Sequence, residues 1–140
     1  MIHETMITFV GLDEKGNEKP MKERYLVVNK ELFGEVEATL YEEFGDIYKD
    51  FDIPAIKRSK LREIINEKPV DVDNPHIFFA TLLDHFITDD GEEKTTQYIV
   101  ALFAKDMPDA NQRISEYMKQ GMQDLELVGV KKTKFIDVLS

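Results

Sequence analysis

Residues Asp50 to Ile65 (DFDIPAIKRSKLREII) align without a gap on Asp124 to Leu139 (DLELVGVKKTKFIDVL), and this internal likeness constrains the fold more than any other feature. Phe51 falls on Leu125, Ile53 on Leu127, Ile56 on Val130, Lys57 on Lys131, Lys60 on Lys134 and Glu63 on Asp137; Arg62 against Ile136 is the clear break. Upstream, Val36, Leu40 and Phe44 correspond to Ala110, Ile114 and Met118, Tyr25-Leu-Val-Val to Tyr98-Ile-Val-Ala, and Asp13 to Lys19 corresponds to Thr88 to Lys94. Ordered agreement across successive segments reads as two copies of one unit, residues 1–66 and 76–140. Residues 67–75, with Pro69, Pro75 and several acids, form the linker.

Each copy has the same pattern. Glu4 to Leu12 and Glu23 to Asn29 are β-favouring runs separated by a polar stretch with Gly16 and Pro20, which predicts a hairpin. Asn29 is then the expected helix N-cap, and Phe33, Val36, Leu40, Phe44 and Ile47 recur at helical spacing. Alternation at Phe51 and Ile53 predicts a third strand, and a short last strand ends near Ile65. In the second copy, strands over Ile77 to Ile87 and Tyr98 to Ala104 precede a helix with Pro108 in its first turn and Ala110, Ile114, Met118 and Met122 on one stripe. A strand over about Leu125 to Lys131 follows. The expected fold is α+β: two tandem ββαβ(β) repeats related by a pseudo-two-fold, helices packed on largely antiparallel sheet. A unit of about 65 residues buries little surface alone, so the copies are expected to share a core as one domain.

Composition narrows function by exclusion. The 140 residues include no cysteine, which removes disulfides, thiolate metal sites and cysteine nucleophiles. No apolar run approaches the roughly 18 residues that span a bilayer, and Met1-Ile-His-Glu4 lacks the order of a signal peptide, so a cytoplasmic protein with no membrane partner is expected. Glycine-rich phosphate loops, Gly-x-Ser-x-Gly and His-Glu-x-x-His are missing. His76 and His85 are an odd number of residues apart and face opposite sides of a regular strand. No catalytic residue, cofactor or metal site is therefore expected. Asp71 to Pro75 alternates carboxylates, but it lacks the Gly and bidentate Glu of a calcium loop.

Two basic clusters interrupt a chain of formal charge -10: Lys57, Arg58, Lys60 and Arg62, and Lys131, Lys132 and Lys134. They fall at equivalent places in the two copies. They suit either a soluble sheet edge paired with acidic helices or contact with phosphates of a single-stranded nucleic acid, against which the net charge argues. The first helix is acidic along its outer face (Glu31, Glu35, Glu42, Glu43, Asp46), a surface for a basic partner. The leading expectation is a non-enzymatic accessory protein that binds a protein partner. Nucleic-acid binding is the alternative, a small-ligand protein or unrecognised enzyme the third reading, and open sheet edges allow a homodimer.

Tyr25-Leu-Val, the acidic helix, Ile56 to Ile64, Phe86 to Lys94 and the terminal Ile136 to Leu139 together resemble an uncharacterised small-protein family, known only as a domain of unknown function, of gut-type anaerobic bacteria and their tailed phages. The resemblance implies a phage or mobile-element accessory gene and carries over no catalytic residue.

Overall fold

A computed structural model describes all residues from Met1 to Ser140. The element order is β1 (His3–Leu12), β2 (Glu18–Val27), α1 (Phe33–Phe44), β3 (Lys49–Arg58), β4 (Leu61–Ile64), β5 (His76–Ile87), β6 (Glu93–Ala104), α2 (Met107–Lys119), β7 (Asp124–Lys132) and β8 (Phe135–Leu139). The fold is α+β, with two helices and two mixed four-stranded sheets. No helix is long and apolar enough to cross a membrane.

The chain divides into two compact units, Met1–Ser59 with Lys134–Ser140, and Lys60–Thr133. In the first, the strand order is β3-β1-β2-β8; in the second it is β7-β5-β6-β4. The hairpins and third strands are antiparallel, whereas β8 runs parallel to β2 and β4 parallel to β6. The short strand that follows Lys60 therefore completes the second sheet, and the one that follows Lys134 completes the first. Asn66 extends the β4 edge with its side chain: its amide donates to the Phe103 carbonyl (2.9 Å) and accepts from the Phe103 N–H (2.8 Å).

Alternation along the strands sorts side chains onto two faces. In the first unit Ile7, Phe9, Tyr25 and Val27 meet Val36, Leu40 and Phe44 of α1, whose four-residue spacing makes one stripe. In the second, Phe78, Leu82, Val100 and Leu102 meet Ala110 and Ile114 of α2. The helix-facing apolar residues thus form two clusters, one per unit. On the opposite face Leu26, Ile77, Ala101 and Phe103 are buried as well.

The helices end sooner than the apolar spacing predicts. Asn29 is in the left-handed region (φ 62), and the N-cap of α1 is Leu32, whose N–H donates to the Glu35 carboxylate at 3.1 Å. Phe33 and Ile47 are exposed, and Met122 lies beyond α2 in full contact with solvent. At α2, Asp106 caps by accepting the Asp109 N–H (3.0 Å). Asp109 accepts from the Lys105 N–H (2.8 Å) and Arg113 Nε (3.0 Å); chiefly the backbone N–H, and then Arg113, hold its carboxyl below the usual carboxylate range.

The two hairpin turns are alike: Gly16 (φ 80) donates to the Asp13 carbonyl and Gly91 (φ 85) to that of Thr88, a conformation that glycine adopts without strain. His3 lies opposite Val27 and Arg58, and Phe78 opposite Leu102 and Lys132. Tyr25 lies opposite Thr5, and Tyr98 opposite Leu82.

Candidate functional site

The basic residues do not form one patch within either unit, because β3 and β8 are opposite edges of the first sheet, and β7 and β4 of the second. Lys57 lies opposite Glu4, with Nζ 3.8 Å from its carboxylate, and Lys131 lies opposite Phe79. Arg58 and Lys132 end their strands opposite His3 and Phe78. Each run then divides: Lys57 and Arg58 belong to the first unit while Lys60 and Arg62 enter the second, and Lys131 and Lys132 belong to the second while Lys134 enters the first. Arg62 places its guanidinium 3.8 Å from the centre of the Tyr98 ring, a cation–π contact.

Lys132 also meets two other basic groups that the sequence reading left apart. It lines a cavity of about 280 Å³ together with His76, Lys105 and the side of Phe78, with Asp106 and Met107 completing the wall. The register explains the meeting, because β5 lies between β6 and β7. His76 is opposite Ala104, one residue before Lys105, and Phe78 is opposite Lys132.

At the other end of the same sheet is a larger open concavity of about 920 Å³, lined by Glu93, Asp124 and Glu126, by Lys94, and by His85 and Ile87. On one sheet face, His85 Nδ1 is 3.1 Å from Thr95 Oγ1 and His85 Nε2 is 3.2 Å from Glu126 Oε1. The exposed Phe86 and Ile87 put apolar surface beside these carboxylates. Glu126 is far from His85 in sequence, and the only sequence signal for their meeting is the pairing of Asp84 with Leu125 and His85 with Asp124, which requires the register. Such a surface holds cationic groups by charge and an apolar side chain by contact.

The histidines differ in surroundings. His76 and His85 stand on opposite faces of β5, as their spacing predicts. His3 is fully buried: it packs edge-on against Phe33 at 5.5 Å, and neither ring nitrogen has a hydrogen-bond partner. Burial, then the charge of Arg58 and that of the N-terminus, push its pKa down and favour the neutral ring. No group of three His, Asp or Glu side chains gathers at metal-binding distance.

The family described as Domain of unknown function (DUF4494) matches residues 1–140. The chain belongs to this family. No curated protein and no solved structure matches it. The family match covers both units and both cavities.

Proposed function

We propose that the chain is a non-enzymatic accessory protein that binds another protein at the concavity of its second unit. The observation that carries this reading is the open surface of about 920 Å³ in which Glu93, Asp124 and Glu126 outnumber Lys94 and share the lining with Ile87, itself 70% exposed. An apolar centre with a charged rim is the composition of a protein interface, and carboxylates select a partner segment bearing Lys or Arg beside an apolar side chain. A second copy of this chain at the same surface would set carboxylates against carboxylates, so the partner is a different, basic chain. The reading takes the chain as two copies of a ββαββ unit, supported by the shared strand order. The phage or mobile-element setting draws on the motif resemblance.

A photo-crosslinking residue at Ile87, with one at Lys15 as control, should capture one basic protein from Ile87 alone. Titration of that purified partner should then weaken by about tenfold or more for Ile87→Arg, the loss expected of an interface anchor. Equal capture from Lys15, or unchanged affinity in the variant, overturns the reading.

Single-stranded nucleic-acid binding through the basic residues is the second reading, favoured by Lys57 and Arg58 ending β3 as Lys131 and Lys132 end β7. Fluorescence anisotropy of a labelled oligonucleotide should then fall steeply with salt and vanish when all four are changed to Ala. Binding that survives those changes sinks it.

A further inference from the structure

We infer that the cavity bounded by His76, Lys105 and Lys132 is a binding site for a phosphate group. These residues come from the start of β5, the connection between β6 and α2, and the end of β7, and the strand register alone brings them to one cavity. In a chain with 28 acids and 18 bases, lysines have an excess of carboxylates to pair with, yet neither Lys105 nor Lys132 is in an ion pair. Asp106, which lines the cavity, caps α2 by accepting the Asp109 N–H, and Asp109 accepts from Arg113 and the Lys105 N–H while the Lys105 charge also acts on it. Two lysine side chains and a histidine thus outnumber the one carboxylate, Asp106, around one space.

A phosphate group suits these donors, since its several acceptor oxygens take charge-assisted hydrogen bonds from ammonium and imidazole N–H together. At about 280 Å³ the cavity is at or below the small end of the roughly 300–1,000 Å³ range of drug-sized ligand sites, so it takes the phosphate and a short appendage rather than a large molecule. The phosphate can belong to a small organic monoester or to a single-stranded nucleic acid. The site does not rest on the protein-partner reading: His85, in the concavity of that reading, lies about 30 Å further along β5 at about 3.3 Å per residue.

The experiment is an amide NMR titration of the full chain with inorganic phosphate, then adenosine monophosphate, then a short oligothymidine. Inorganic phosphate should move the amides of Lys105, Asp106 and Lys132 saturably, with Kd on the order of 1 mM. Lys105→Ala and Lys132→Ala should each weaken that binding about tenfold, the loss of one charge-assisted hydrogen bond, while Lys15→Ala leaves it unchanged. Tighter binding of the monophosphate identifies a small ester, and tighter binding of the oligonucleotide identifies a strand. Lys105 lies outside both basic clusters, so its effect separates this cavity from general attraction to them. Shifts that do not saturate, or that persist in both lysine variants, overturn the proposal.

Discussion

Deleting residues 134–140 should remove most of the stability of the first unit while the second unit, Lys60–Thr133, stays folded. The deleted piece contains all of β8, whose Phe135, Asp137, Val138 and Leu139 pair in parallel with Arg24, Tyr25, Leu26 and Val27. The Leu139 carbonyl also accepts the Val28 N–H at 2.8 Å, and its side chain packs on the cluster beneath α1. Full burial of one such apolar side chain contributes about 1.5–3 kcal/mol, so losing several half-buried ones costs about 4 kcal/mol, a large share of the roughly 5–15 kcal/mol that holds a domain folded. Hydrogen exchange checks this unit by unit: amides of β1 and β2 should lose protection and those of β5 and β6 should keep it. Full protection in β2 of the truncated chain would show that β8 is dispensable.

Leu40→Ala should destabilise the first unit by about 3 kcal/mol, the middle of the range for emptying a fully buried leucine site. Leu40 has no exposed surface and sits at the centre of the Val36, Leu40, Phe44 stripe. Ile114→Ala, at the corresponding place on α2, should cost the second unit a similar amount. Because the helix-facing clusters are distinct, each substitution should lower the urea midpoint of its own unit more than that of the other, read by fluorine labels placed one per unit. Equal shifts of both labels would mean that the units unfold as one.

Elements with strong periodicity were legible in the sequence. The hairpins, both helices, Pro108 in the first turn of α2 and the short strand ending near Ile65 fall where alternation and helical spacing put them. The limits of α1 were less so, because Phe33 and Ile47 share the stripe's spacing while lying outside its buried part, and the left-handed turn at Asn29 moves the cap to Leu32. Pairing partners beyond the two hairpins were not legible. Nothing local distinguishes a β4 that pairs with β2 from one that pairs with β6, since strand partners depend on contacts remote in sequence. For the same reason the meeting of His76, Lys105 and Lys132, and that of His85 with Glu126, came only with the register, whereas the runs of adjacent lysines, visible at once, are divided between the units.

The placement of β8 beside β2 also decides how the protein bears load. His3 and Leu139 both pair with Val27, so the two chain ends leave the first sheet at the same edge of the same strand. Tension applied through Met1 and Ser140 therefore peels the flanking strands from β2 rung by rung, an unzipping geometry, instead of shearing all their hydrogen bonds at once. The whole of residues 60–133 lies in sequence between the two parts of the first unit. A pull on the termini reaches the second sheet, with both of its cavities, only after the first has opened.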